Sequence, residues 1–199
     1  MTSAPVRVRL PAAERRRALV DTALDLFAEG SYRGVTTAEI ARRAGVSEPI
    51  LYRHFESKRD LFLACLDEAW SRVREAWQKM EAEEDPKLWH GGSRGELRQA
   101  RELLWDLWAQ AVTEAAGEPV IGRRLRSHLE EVHAYVAAGI RRAQEAGAVL
   151  PERDADAEAW IFMSTGLMTA VGRRLGGLLE DDLPRIIAAR RQWMTGLSA

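Results

Sequence analysis

The chain has 199 residues, of which 46% are hydrophobic, and its formal net charge at pH 7 is −1. This length and composition permit a full hydrophobic core, in one compact unit or in two small domains, and the near-neutral charge argues against a general polyanion binder. The single cysteine, Cys65, rules out an intrachain disulfide and a cysteine metal cluster. No apolar run reaches the roughly 18 to 20 residues that span a bilayer, and the first residues lack a hydrophobic signal core. We therefore expect a cytoplasmic protein with no membrane partner, in which Cys65 is a buried thiol.

The first two elements of the chain are an arm and a long helix. Residues 1–10 have no apolar period, which predicts a flexible arm. A helix from about Pro11 to Glu29 follows, because apolar side chains recur on one face, namely Leu19, Ala23, Leu24, Phe27 and Ala28. We expect this helix to pack against the segment that comes next and to hold it.

Residues 36–60 contain the signals of two short helices joined by a tight turn. Thr36 can cap the first helix, and Glu39, three residues later, can reach back to complete a capping box. Gly45 can adopt the left-handed conformation that ends a helix without a side-chain clash. The first helix is therefore predicted to be about two turns long.

The second helix of this segment is also short. Ser47 can cap it, and it runs to about Phe55, with Pro49 tolerated in a first turn whose N–H groups have no helical partner. Ser57 with Asp60 repeats the capping pattern and opens a further helix. Short helices joined by this glycine turn predict a helix-turn-helix, whose second helix can enter the major groove of DNA.

The segment resembles the DNA-binding motif of the TetR family of bacterial repressors. The resemblance rests on the Thr-Thr start at 36–37, the Ala-Gly-Val-Ser turn at 44–47, the Leu-Tyr-Arg-His-Phe run at 51–55 and Ser-Lys at 57–58. It covers about residues 12–66, and beyond them only the length, the helical pattern and the helix spacing are similar. It implies an all-α protein of about nine helices, with an N-terminal three-helix DNA-binding domain and a C-terminal bundle for ligand binding and dimerisation.

The charge is distributed unevenly along the chain. Residues 1–60 have 11 Lys and Arg against 8 Asp and Glu, whereas the other 139 residues have 18 against 22. The basic excess therefore coincides with the motif, as DNA binding requires. We accordingly divide the chain into a flexible arm (1–10), a DNA-binding domain (11–60) and an effector-binding and dimerisation domain (61–199).

The predicted DNA-binding residues fall into two groups. Phosphate contacts, which position a protein on DNA, are expected from residues at which the family pattern usually touches the backbone: Thr37, Tyr52, His54 and Lys58. Base readout is expected from Glu48, Pro49 and Arg53, with Arg42 and Arg43 as alternates. The capping residues Thr36 and Ser47 are also predicted to contact DNA. Ile50 departs from a common form of the family, which has a small hydroxyl residue there, so one polar contact is lost or becomes apolar. The alternative for each residue is ordinary polar surface.

Beyond residue 60 the pattern predicts a helical bundle. One long amphipathic helix carries a single apolar stripe formed by Leu66, Trp70, Val73, Trp77 and Met80. Residues 81–96 contain Pro86 and a glycine pair and predict a loop. Helices are predicted over 97–116, over 119–147, either continuous or broken near Gly122, over 154–175 and over 182–196. No segment alternates as a strand would, so the fold class is all-α.

The last two helices carry apolar stripes that suit either a monomer core or a dimer interface. The candidate dimerisation residues are Trp160, Leu167 and Val171 on the first helix, and Leu183, Ile187 and Trp193 on the second. The residues alone leave both readings open, and the resemblance favours a homodimer with two helices from each subunit. A twofold dimer also suits a palindrome, because recognition helices about 34 to 36 Å apart meet successive major-groove faces.

All seven tryptophans lie outside the predicted DNA-binding domain. Tryptophan combines a large apolar area with one N–H donor, which suits a pocket for a flat, apolar or cationic effector, although helix packing is the alternative for each one. The candidate effector-binding residues are Trp105, Trp108, His128 and Met163, on the central helices.

The predicted function is a ligand-responsive repressor that dimerises on a palindromic DNA operator and is released by a small hydrophobic effector. A ligand-independent DNA-binding dimer controlled by a protein partner is the alternative. We expect no enzyme, cofactor or metal site, because no phosphate loop, dinucleotide glycine pattern or serine elbow is present. His128 and His133 are five residues apart and do not share a helix face as a metal pair would.

Overall fold

The structure is a computed structural model that describes residues 11–83 and 95–197. The predicted arm over residues 1–10, and most of the predicted loop over 81–96 with Trp89, lie outside the described residues. The described residues form eight helices and no strand: α1 (Ala12–Glu29), α2 (Thr37–Arg43), α3 (Glu48–Tyr52), α4 (Lys58–Glu83), α5 (Gly95–Ala115), α6 (Pro119–Glu145), α7 (Ala155–Arg174) and α8 (Leu183–Thr195). The all-α prediction is confirmed, and α6 runs through Gly122 without a break. None of these helices is long and apolar enough to cross a membrane.

Two compact units make up the chain, and they divide between Cys65 and Leu66, inside α4. The sequence placed this boundary after residue 60. The difference arises because the start of α4 belongs to the first core, where the rings of Phe62 and Phe27 pack edge to face with centroids 5.2 Å apart. Cys65 is fully buried, as predicted, and its Sγ lies 3.8 Å from the carbonyl oxygen of Val20 in α1.

The helix ends of the first unit follow the predicted local chemistry in most places. Thr36 Oγ1 accepts a hydrogen bond of 3.2 Å from the backbone N–H of Glu39, which caps α2. Gly45 has a φ of 69°, in the left-handed region that a glycine adopts without strain, and so lets the chain leave α2. Ser57 Oγ accepts from the N–H of Asp60 at 3.1 Å, so the predicted cap of α4 is also present.

The second helix of the motif differs from its prediction at both ends. Ser47 stands at the N-cap of α3 with an extended backbone, but its side chain makes no capping bond. The helix ends at Tyr52 and not at Phe55, because the N–H groups of Arg53 and His54 turn to carbonyls three residues back. This tightening is typical of the last turn of a helix.

The second unit is a bundle in which α5, α6 and α7 pack against one another and α8 is fixed by polar contacts to α7. Glu158 of α7 is buried and makes an ion pair with Arg190 of α8. Its Oε1 also accepts a hydrogen bond of 2.8 Å from Trp193 Nε1. The N–H of Leu150 donates to the carbonyl of Met194 at 2.9 Å, so the end of α8 is tied to the α6–α7 connection.

Candidate DNA interface and effector cavity

The predicted DNA-binding residues lie mostly at the surface of the first unit. Seven are exposed, namely Thr36, Arg42, Arg43, Ser47, Pro49, Tyr52 and Arg53. Glu48, His54 and Lys58 are half-buried, and Thr37 is buried. The start and the outer side of α3 are therefore open to solvent, while Leu51 on its inner side is fully buried. A short helix with this division can present side chains to a groove while it stays anchored to the core.

Three of the predicted residues form a hydrogen-bonded chain between α2 and α3. Thr37 Oγ1 donates to Glu48 Oε1 at 2.6 Å and lies 3.1 Å from the Tyr52 hydroxyl oxygen. A threonine hydroxyl has one proton, and Glu48 accepts it, so the Tyr52 hydroxyl must donate to Thr37. These bonds align the two helices, with the Tyr52 hydroxyl donating to Thr37 Oγ1 and the Thr37 hydroxyl donating to the Glu48 carboxylate.

Arg43, one of the cationic residues of the interface, is held only loosely. Arg43 pairs with Glu29 of α1 at 3.3 Å, and both side chains are exposed. Such a pair contributes about 0 to 1 kcal/mol, so a phosphate can displace it. Lys58 Nζ lies 4.8 Å from the ring centroid of Tyr32, and Arg16 stacks over Phe55 at 4.7 Å. Among the described residues, Arg53 forms no ion pair.

A cavity of about 170 Å³ lies inside the second unit, where α5, α7 and α8 meet. It is lined by Arg98, Arg101, Glu102, Trp105, Phe162, Thr165, Gly166, Thr169, Arg173, Leu183, Ile186, Ile187 and Arg190. Gly166 is required here, because a Cβ at this position would lie 2.4 Å from Cε2 of Trp105. The indole of Trp105 therefore packs directly on the α7 backbone and forms one wall of the cavity.

Comparison with known proteins places the first unit in a family. Residues 19–65 match the family model described as "Bacterial regulatory proteins, tetR family". This segment is therefore similar to the regulators of the TetR family. The HTH-type transcriptional activator FasR of Mycolicibacterium smegmatis is 47% identical over 72 residues, which are 34% of this chain and 33% of FasR. The chain spans about a third of the length of the curated TetR-family relatives it matches. Members of this family are regulators and not enzymes.

Solved structures extend the likeness to both units. The regulatory protein TetR from Rhodobacter sphaeroides has a TM-score of 0.70 and 19% identity, and the match covers 90% of this chain and 98% of that one. A protein of Saccharomonospora viridis solved in complex with choline has a TM-score of 0.59 and 26% identity, and the match covers 80% of this chain and 85% of that one. At 19% identity the likeness to the Rhodobacter protein shows the fold alone.

Beside the cavity, seven aromatic rings of the second unit form a closed circuit. The aromatic circuit runs Trp105, Trp108, His128, Trp70, Tyr135, Trp77, Phe162 and back to Trp105, with neighbouring centroids 4.8 to 6.2 Å apart. All seven contacts are edge-on, the arrangement that ring quadrupoles favour. The circuit joins α4, α5, α6 and α7, and Trp105 and Phe162 are the two members that also line the cavity.

The four predicted effector residues lie in two different environments. Trp105 lines the cavity, whereas Trp108, His128 and Met163 are buried in the bundle and are not among the lining residues. Sequence reasoning missed Arg101 and Phe162. A signal for Arg101 existed on α5, where Arg98, Arg101, Glu102 and Trp105 are spaced along one helix face.

His128 is a buried neutral histidine. Its Nδ1 accepts a hydrogen bond of 3.2 Å from Trp108 Nε1, so the ring carries its proton on Nε2, which has no partner among the described residues. Burial lowers the pKa of His128 from 6.5 to about 4, although the carboxylates of Asp67 and Glu131 act in the opposite direction. The charged imidazolium is thus disfavoured in the folded state.

This lowered pKa predicts acid sensitivity. Between pH 6.5 and pH 4 the unfolded chain binds a proton at His128 that the folded chain excludes, so stability falls as the pH drops through this window. At pH 5 the loss from this residue is about 2 kcal/mol. Urea unfolding at pH 7.5 and at pH 5 measures this loss of stability. The variant His128→Asn removes the titrating group, so we expect it to lose about 2 kcal/mol less unfolding free energy between pH 7.5 and pH 5 than the unmodified protein. Equal losses in both proteins would contradict the assignment.

The predicted dimerisation residues also divide into two classes. Trp160, Ile187 and Trp193 are exposed, whereas Leu167, Val171 and Leu183 are half-buried. Two further exposed apolar residues on α7, Ile161 and Met168, were not predicted. Ile161 and Met168 are seven residues apart and therefore lie on one face of α7, so the sequence already carried a signal for this pair. The exposed apolar side chains of α7 and α8 (Trp160, Ile161, Met168, Ile187 and Trp193) are called the α7–α8 face below.

Proposed function

We propose that this TetR-family protein is a cytoplasmic transcriptional repressor that binds a palindromic DNA operator as a homodimer and is released by a small effector. The observation that carries DNA binding is the exposed outer side of α3, with Tyr52 and Arg53, set behind the left-handed turn at Gly45. The basic excess of residues 1–60 supports the same conclusion, because phosphate contacts dominate affinity for DNA.

The homodimer is supported by the α7–α8 face. Large apolar side chains that are exposed together on adjacent helices mark an interaction surface, whereas single exposed apolar residues do not. A second copy of the same chain is the partner that matches the proposed operator, since a twofold dimer repeats the recognition helix on successive turns of DNA.

Effector control is supported by the cavity and by its link to α4. The cavity is mainly apolar, and a structural relative of 26% identity was solved with choline bound. Trp105 and Phe162 connect the cavity through the aromatic circuit to Trp70 and Trp77 on α4, one continuous helix that contributes to both units. We infer that effector and DNA favour different positions of α4. A differential affinity of about 2 to 3 kcal/mol would lower operator affinity roughly 30- to 150-fold.

A second candidate is a ligand-independent DNA-binding dimer controlled by a protein partner. The size of the cavity favours this second candidate, because the cavity volume of about 170 Å³ is below the roughly 300 to 1,000 Å³ of most small-molecule sites. The tight aromatic packing next to the cavity also suits a filled interior.

Selection from a random double-stranded DNA pool tests the function. We expect the protein to enrich a palindrome with half-sites about one helical turn apart, and fluorescence anisotropy to show affinity for it that falls steeply with salt. A promoter carrying the selected site upstream of a reporter then gives the sign of regulation, which matters because FasR is named an activator. Failure to enrich any sequence, with affinity no higher than for random DNA, would overturn the proposal.

A further inference from the structure

The cavity between α5, α7 and α8 combines an apolar floor with a strongly positive wall. Trp105 and Phe162 supply the flat apolar surface, and four arginines but only one carboxylate, Glu102, line the space. A volume of about 170 Å³ is close to that of a cavity known to hold benzene, about 150 Å³. The space therefore fits a compact ligand with one ring or a short branched chain.

Three of the four arginines already have carboxylate partners. Arg98 lies 3.8 Å from Glu102, Arg173 lies 3.0 Å from Asp106, and Arg190 pairs with the buried Glu158. Their positive charges are thus balanced within the bundle. The fourth arginine, Arg101, is different.

Arg101 has no carboxylate partner among the described residues. Its Nε is buried without a hydrogen-bond partner, and its guanidinium lies 5.0 Å from the ring centroid of Phe162. A buried donor with no acceptor loses its hydrogen bonds to water without compensation, and the penalty is larger when the group is charged. The wall of the cavity therefore contains a charged donor that a ligand could satisfy.

The electrostatics of Arg101 agree with this geometry. Burial lowers the pKa of Arg101 from its ordinary value to about 10, an effect that the neighbouring Glu102 only partly offsets. The guanidinium is still charged at neutral pH, so the cavity retains a positive charge that Glu102 does not fully balance.

We propose that the effector of this cavity is a compact carboxylate whose anionic group binds Arg101 and whose apolar body packs on Trp105 and Phe162. This inference rests on the effector control proposed above and names the chemical class of the effector. A carboxylate fits the planar guanidinium fork, which favours two parallel hydrogen bonds. A cation of the same size would be repelled by Arg101, and a neutral molecule would leave the Arg101 charge unbalanced.

Matched ligands test the charge requirement on the protein without DNA. Benzoate, phenylacetate, 3-phenylpropanoate and indole-3-acetate are titrated beside their amides and beside benzylammonium, with heat of binding as the main readout and tryptophan fluorescence as the second. We expect at least one carboxylate to bind at least 10-fold more tightly than its amide, and benzylammonium not to bind. An amide that binds as well as its acid, or no binding by any carboxylate at millimolar concentration, would overturn the proposal.

Variants test the role of Arg101 itself. Arg101→Met removes the charge at similar length and is expected to abolish the preference for the acid over the amide, while Arg101→Lys keeps part of it. Arg126→Met, an exposed arginine on α6 outside the cavity, is the matched control and should retain the full preference. Thermal unfolding checks that the variants are folded, and an unchanged preference in folded Arg101→Met would contradict the assignment.

DNA affinity measured separately on the same samples distinguishes two failures. Carboxylate binding that leaves operator affinity unchanged would keep the site and remove its regulatory role. Operator binding with no carboxylate bound would keep the DNA-binding function and remove this ligand class.

Discussion

Met168→Glu is expected to convert the protein from a dimer to a monomer and to lower its affinity for a full palindromic operator by roughly 100-fold or more, because avidity between two linked sites is worth about that much. Met168 lies on α7 with 43% of its surface exposed and does not line the cavity. A carboxylate there would be buried unpaired in the interface, which strongly disfavours association. Sedimentation measures the oligomeric state, and fluorescence anisotropy with a full operator and a half-site measures the DNA affinity.

Val112→Glu is the matched control for this prediction. Val112 is also an exposed apolar residue of the second unit, with 51% of its surface exposed, but it lies on α5, outside the α7–α8 face. We expect this variant to remain dimeric with unchanged operator affinity. If Met168→Glu also remained dimeric, or if both variants lost the dimer equally, the α7–α8 face would not be the interface.

The second large effect is expected at the DNA surface. Lys58→Met and Tyr52→Phe each remove a predicted phosphate contact, so both should weaken binding to all sequences. For Lys58→Met, the slope of log affinity against log salt should fall by about two for a dimer, because each subunit loses one contact. Arg53→Met should instead change sequence preference, by about 1 to 3 kcal/mol at one base pair per half-site. Anisotropy at several salt concentrations, with single-base operator variants, separates the two patterns.

Glu48→Gln is a companion to these variants because Glu48 accepts the hydroxyl proton of Thr37. If that carboxylate competes with phosphate for the proton, its neutral replacement should raise affinity for every sequence. If Glu48 instead reads cytosine, as the sequence suggested, the replacement should weaken only operators that carry cytosine at one position. Unchanged affinity for every operator would exclude both roles.

The predictions that succeeded depend on local chemistry. The bond from the N–H of Glu39 to Thr36, the left-handed Gly45 and the start of α4 at Ser57 all follow from a few adjacent residues. The unit boundary within α4 does not, because tertiary packing decides it. The burial of Leu61 and Phe62, for example, assigns the start of α4 to the first core.

The cavity was harder to predict than the motif. Periodicity indicates that Trp108 and Met163 are buried, but it does not say whether a buried side chain faces another side chain or an empty space. The cavity depends on three helices that meet around Trp105, and on a glycine at 166 that permits this approach. The unbalanced charge of Arg101 is visible only once the partners of the other three arginines are known.

The aromatic circuit should also make the proton NMR spectrum of this protein sensitive to occupation of the cavity. In edge-on packing the edge of one ring points at the face of the next, where ring currents shield protons strongly. The indole N–H of Trp108 is directed at the His128 ring nitrogen, and the neighbouring ring of Trp105 stands at the cavity wall. The upfield and indole regions of a simple proton NMR spectrum should therefore respond when the cavity is filled, without any label on the protein.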